Sequence, residues 1–147
     1  MVLVFFGFVP VGGTYYVQSL NWNNDVTVAS LLCGLVVDTL LVVNNYRDRE
    51  ADKKSGKRTM IVRFGEKFGS YLYLWLGISA TLGCLWFLRD QRYYAALFPL
   101  LYVIPHVLTW RKMVKIHSGK KLNSILGETS RNMLLFAILL SLGMILS

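Results

Sequence analysis

Residues 29–43 read ASLLCGLVVDTLLVV, and residues 132–146 read NMLLFAILLSLGMIL. A soluble helix of that length carries a polar face that returns every third or fourth residue. These two runs have almost none, so their sides meet lipid or other apolar helices. A hydrocarbon core about 30 Å thick takes roughly 20 apolar residues of helix. Stretches of that length occur at about 1–19, 26–46, 69–88, 93–112 and 130–147. The 147 residues are 54% apolar and 16% charged, and their mean hydropathy is positive. That balance excludes disorder and leaves too little polar surface for a soluble domain of this size. The expected fold is all-α, a polytopic transmembrane helix bundle with five spans in this chain.

Charge adds topology. Sixteen Lys and Arg stand against eight Asp and Glu. Eight of the sixteen lie in 47–67, five in 111–121, and Arg131 opens the last span, whereas Arg89 and Arg92 stand alone between the third and fourth spans. Basic loops stay on the cytoplasmic side, so the chain is expected to enter from the cytoplasm and finish on the far side. The surplus also points to an anionic partner; membrane lipid is an expected partner of the chain, and nucleic acid is not. Tyr15, Tyr16, Trp22, Tyr71, Tyr73, Trp86, Tyr93, Tyr94 and Trp110 fall near predicted helix ends, where aromatic side chains anchor spans at the interface.

Met1 has no basic leader before it and no small-residue cleavage site follows, so the sequence reads as the continuation of a longer protein. Pro10, Pro99 and Pro105 interrupt spans and predict kinks. Cys33 and Cys84 lie in different spans with no ligand-like neighbours, which predicts inert buried thiols. His106, inside a span, is expected to hydrogen-bond a neighbouring carbonyl, with proton transfer as the alternative. His117, in a basic loop, is expected to be solvated.

One stretch differs from the rest. Residues 38–59 read DTLLVVNNYRDREADKKSGKRT, beginning inside a span and ending in water. At about 100° per residue, Asp48 and Asp52 are about 40° apart on a helix. Asn45 shares their sector, and Asn44 and Asp38 flank it. Hard oxygen donors in that arrangement suit Mg²⁺, which is held by one or two carboxylates together with water and phosphate oxygens. No His or Cys joins the group, which disfavours zinc or iron. Downstream, Lys57, Arg58 and then Arg63 form a cationic turn able to hold the outer oxygens of a metal-bridged diphosphate. The plain alternative is a solvated loop whose cations set topology. A nucleotide-binding loop is excluded at Gly56-Lys57-Arg58-Thr59, because Ala51 stands where its first glycine belongs and no strand precedes it.

Residues 44–65, NNYRDREADKKSGKRTMIVRFG, closely resemble the second aspartate-rich motif of the UbiA superfamily of membrane prenyltransferases. Within it they resemble the branch that prenylates 1,4-dihydroxy-2-naphthoate in menaquinone synthesis. FFGFVPVGGTYYVQ at 5–18 is similar to the helix that precedes this motif, and LLFAILLSLGMIL at 134–146 resembles the last span. The resemblance implies nine spans around a cavity, with two aspartate-rich motifs facing each other at the cytoplasmic side of a bacterial plasma membrane. Each motif would hold Mg²⁺ against the diphosphate of a polyprenyl donor, and the polyprenyl group would pass to 1,4-dihydroxy-2-naphthoate with loss of its carboxylate, giving demethylmenaquinone.

By position in that motif, Asn45, Asp48 and Asp52 would be metal-side residues, with Asn44 and Arg47 supporting them; Asp38, upstream of the motif, is a further supporting candidate from the helical face. Arg47, Lys57, Arg58 and Arg63 would contact diphosphate, and Asp48, Asp52, Lys57 and Arg58 would be the catalytic set. Met60 and Ile61 replace the Leu-Ala that commonly follows the Thr. The family's first motif, Asn-Asp-x-x-Asp-x-x-x-Asp, is not among these residues. The chain is therefore expected to be a C-terminal portion, 1–147, of the family's prenyltransferase domain, lacking the N-terminal half that carries this motif and inactive alone. The alternatives are a family member with another aromatic acceptor, or a small non-enzymatic membrane protein whose basic loops bind lipid headgroups.

Overall fold

A computed structural model describes residues 4–147; residues 1–3, part of the first predicted span, lie outside the described residues. The chain opens with α1 (Val4–Gly13), wound as a π-helix around Pro10, which runs into α2 (Thr14–Ser19). Then come α3 (Asn24–Lys54), the short α4 (Met60–Phe64), α5 (Glu66–Asp90), α6 (Tyr93–Ile116) and α7 (Leu122–Leu146). Four of these, α3, α5, α6 and α7, are long and apolar enough to cross a membrane. They cover the last four predicted spans, except for Ser147 at the end of the last, and extend past most of the predicted boundaries. The stretch predicted as a first span is described from Val4 onward as the shorter α1–α2 pair, packed against α3.

Local chemistry sets the ends of α3. Asn23 is extended, and its side chain accepts the Val26 N–H at 2.9 Å, so the first turn is capped. Asp25 in the first turn and Lys53 and Lys54 in the last complement the helix dipole. Beyond the apolar portion the helix continues for two more turns, because Arg47, Arg49, Glu50, Ala51, Lys53 and Lys54 are good helix formers and no proline intervenes. It stops at Gly56, whose φ of +75° is open to glycine at little cost. There the Lys57 N–H reaches the Asp52 carbonyl at 2.9 Å and the Gly56 N–H reaches that of Lys53 at 3.3 Å, closing the last turn.

Proline shapes α6 similarly. The helix tightens to 3-10 geometry over Phe98–Tyr102, where Pro99 removes a donor, and is α-helical again from Val103.

α3 is the central element and packs along α1, α5 and α7. Two apolar clusters form around it. One, away from the basic loops, gathers Leu32, Val36, Cys84, Phe87, Tyr102, Phe136 and Leu140. The other, near the basic loops, gathers Val42, Val43, Tyr46, Ile61, Tyr73, Met113, Leu122 and Ile125.

Buried polar side chains also line the helix contacts. The Tyr73 hydroxyl meets that of Thr129 at 3.1 Å, and Asn132 donates to Thr109 Oγ1 at 3.0 Å. His106 Nε2 lies 3.3 Å from the Leu74 carbonyl, which can only accept, so this nitrogen carries the proton and Nδ1 accepts from the Tyr102 hydroxyl at 3.0 Å. The carbonyl partner expected for His106 is thus present.

Tyr73 is not an interfacial anchor: it is fully buried and stacks on His106 with ring centroids 4.6 Å apart. Its phenol has a partner inside the bundle, which an interfacial position would not supply. Cys33 and Cys84 are free thiols, half-buried and buried.

The outer surface is apolar. Trp75, Ile104, Leu134 and Ile145 are 58%, 63%, 63% and 76% exposed. A bundle with hydrogen-bonded polar groups inside and large apolar side chains outside suits lipid as its surroundings.

Candidate functional site at the basic end

The end of α3, the start of α5, the end of α6 and the start of α7 meet at one end of the bundle, with α4 beside them. The two basic loops lie there, whereas Arg92 pairs with Asp25 across 3.6 Å at the opposite end.

The continuous helix through Lys54 places Asn44, Asp48 and Asp52 at successive turns of α3. Arg47 is the centre of the upper part. Its Nε and Nη2 donate to the two carboxylate oxygens of Asp48 at 2.7 Å each, a bidentate fork. Nη2 also reaches Asn44 Oδ1 at 2.8 Å, and Nη1 donates to Asn123 Oδ1, at the start of α7, at 3.0 Å. Hydrogen bonds from Arg47 hold the Asp48 carboxyl below its ordinary value; this group lies past the apolar portion of α3, and it is anionic at neutral pH. Asp52, one turn on, is buried, and its carboxylate faces Lys57 Nζ at 3.2 Å. The Gly56 turn makes that contact, because it folds Lys57 back over the end of the helix that carries Asp52.

The remaining expected residues are placed differently. Asn45 is half-buried and makes no side-chain hydrogen bond among the described residues. Asp38 is half-buried ten residues earlier, which is about 15 Å along the axis at ~1.5 Å per residue. It is therefore not gathered with Asp48 and Asp52. Arg58 and Arg63 are exposed and form no ion pair among the described residues, although Arg63 lies over the Phe64 ring at 5.8 Å.

The structure adds residues that sequence patterning did not single out. Arg49 is buried, stacks over the Tyr46 ring at 4.7 Å and donates to three elements. Its partners are the Tyr46 carbonyl at 2.7 Å, Glu66 Oε2 at 3.1 Å and the His117 carbonyl at 2.9 Å. Glu66 also accepts from the Tyr46 hydroxyl at 3.0 Å and pairs with the His117 ring. His117, expected to be solvated, is 61% exposed but held by this contact. Its backbone, with φ +63°, ends α6 and turns the chain toward Gly119. Arg47, Asp48, Gly119, Lys120 and Asn123 then line a polar cleft of about 330 Å³. The only sequence signal for the α7 side of this cleft is the basic run that sets topology.

Donor chemistry decides what such a site can hold. Among the described residues no group of three or more His, Cys, Asp or Glu gathers around one point. Two separate carboxylates, each beside a cation, with amide oxygens nearby, do not make a closed cage. Their oxygens are of the kind a hard cation takes, but both Asp48 carboxylate oxygens are held by Arg47 and the Asp52 carboxylate faces Lys57.

Together, the helices and this site define a polytopic helical membrane protein with an aspartate-bearing, cation-flanked cleft at its basic end. The UbiA prenyltransferase family model matches residues 1–136, and the chain belongs to that family.

Over 148 aligned residues it is 33% identical to the 1,4-dihydroxy-2-naphthoate octaprenyltransferase of Haemophilus influenzae, covering 99% of this chain and 47% of that protein. It is 31% identical over 140 residues to the enzyme of the same name from Mycobacterium leprae, covering 93% and 46%. Over 68 residues it is 31% identical to the 2-carboxy-1,4-naphthoquinone phytyltransferase of Synechocystis, covering 46% and 22%. The chain thus spans about half the length of the octaprenyltransferases it matches end to end. No solved structure matches it.

Proposed function

We propose that this chain supplies the second aspartate-rich half of a membrane prenyltransferase that moves a polyprenyl group from its diphosphate to 1,4-dihydroxy-2-naphthoate. The observation that carries this is the pairing of Asp48 with Arg47 and of Asp52 with Lys57 on adjacent turns of one helix end. The names of the relatives supply the acceptor and the octaprenyl donor.

In the reaction the allylic C–O bond breaks, diphosphate leaves with the bonding pair, and a C–C bond forms at the ring carbon that bears the carboxylate, which departs as CO₂. Mg²⁺ bound by Asp48 and Asp52, with Asn45 beside them, would supply charge to offset that building on the diphosphate. Arg47 and Asn44 keep Asp48 oriented, and Lys57, next to Asp52, would meet a phosphate oxygen. Arg58 and Arg63, both exposed, add to the positive field at this end.

The first aspartate-rich motif of the whole enzyme would face this one across the cavity. In this reading the membrane is a bacterial plasma membrane, with the basic end in the cytoplasm.

The test is Mg²⁺-dependent binding of inorganic pyrophosphate by the purified chain, with Asp48→Asn and Asp52→Asn as variants. Both should abolish binding. If the wild-type chain shows no Mg²⁺-dependent binding, or if the variants bind as well as wild type, the reading fails. A basic loop that only attracted anionic headgroups would hold or gain affinity on losing acids.

A further inference from the structure

We infer that the α6–α7 loop with the first residues of α7, residues 117–123, is the second wall of the diphosphate site, with Lys120 as a phosphate-binding residue and Asn123 as a positioning residue. This rests on the reading of Asp48 as a metal-side residue and adds a segment that lies about 70 residues further along the chain.

Three observations converge on the loop. Lys120 and Asn123 line the same polar cleft as Arg47 and Asp48. Asn123 Oδ1 accepts from Arg47 Nη1, a nitrogen that neither Asp48 nor Asn44 engages, at 3.0 Å, so the fork is held from both sides. The loop is also fixed in place, because Arg49 on α3 binds the His117 carbonyl at 2.9 Å and Glu66 binds its ring.

The charges favour an anion. Arg47 and Lys120 face one carboxylate, and once Asp48 is shared with a divalent cation the cleft is strongly positive. A cleft of about 330 Å³ is at the small end of ligand sites and admits phosphate groups rather than a prenyl chain. Lys120 is an exposed lysine on a flexible stem, suited to meeting a phosphate oxygen as a point charge. Lys121 beside it does not line the cleft.

The experiment is calorimetric titration of the full chain in detergent with inorganic pyrophosphate at fixed Mg²⁺, and with Mg²⁺ at fixed pyrophosphate. Lys120→Ala should weaken pyrophosphate binding about tenfold and Lys120→Arg should restore most of it, whereas Lys121→Ala should change it less than about twofold. Asn123→Ala should raise the Mg²⁺ concentration needed several-fold while leaving affinity at saturating Mg²⁺ and the thermal midpoint close to wild type. A merely structural role would move the midpoint instead.

Wild-type affinity in Lys120→Ala, with Asp48→Asn still inactive in binding, overturns the second wall and leaves the metal-side reading standing. Equal losses in Lys120→Ala and Lys121→Ala reduce the loop to a general positive field and also overturn it. No binding by the wild-type chain overturns both.

Discussion

Replacing Arg49 by Ala tests whether one buried cation organises the whole basic end. Its guanidinium joins α3 to Glu66 of α5 and to the His117 carbonyl that closes α6. A hydrogen bond to a charged group contributes about 1.5–3 kcal/mol net when buried. Two features reduce the sum here. The Glu66 side chain is 32% exposed, so that ion pair is worth about 0–1 kcal/mol. The Tyr46 carbonyl already accepts within the helix, and its second acceptance adds little.

Adding the His117 contact and the stacking on Tyr46, less the desolvation that removal of the cation relieves, leaves a cost of about 2–3 kcal/mol. The assay is reversible denaturation of the detergent-solubilised chain, followed by tryptophan fluorescence, with amide exchange read in parallel. Arg49→Ala should lower stability by that amount and speed exchange selectively over residues 117–123. Arg49→Lys should recover less than half, because an ammonium cannot reach three acceptors in fixed directions. A change below about 0.5 kcal/mol, or uniform exchange across all helices, would refute the reasoning.

Two further outcomes follow from the same geometry. A methyl group at Gly77 would overlap the His106 imidazole, which cannot withdraw because it is stacked between Tyr73 and Tyr102 at 4.6 and 5.1 Å. Gly77→Ala should therefore cost about 2–4 kcal/mol in wild type but under about 1 in a His106→Ala background, a coupling that a double-mutant cycle measures. For acid, the sign follows from Asp48: its folded value lies below its unfolded one, so the Arg47 pair stabilises fully above about pH 3.9 and is lost as pH falls through the lower folded value. The midpoint of thermal unfolding should then fall below about pH 4 in wild type, with a smaller acid-dependent drop in Asp48→Asn.

The runs at 29–43 and 132–146 were enough to establish helices in lipid, because spanning is a matter of length and apolarity within each segment. The same holds for Asp48 and Asp52 on one helix end: a 3.6-residue period and a glycine at 56 place them without reference to any other element. What only the tertiary structure decided is how separate segments meet. Tyr73 looked like an interfacial aromatic by its place in the sequence, and it is core because Thr129 and His106 stand opposite it. Asp38 flanks the helical sector of Asp48 and Asp52, but axial rise separates them.

Arg49 and Lys120 belong to topology-setting basic runs in sequence, and nothing local distinguishes them from their neighbours. Arg49 acquires its role from Glu66 and His117, and Lys120 is placed in the Arg47–Asp48 cleft by a loop that Arg49 ties down. Periodicity along one helix can be read from the chain. Contacts between helices depend on packing among residues tens of positions apart, and no local pattern encodes them.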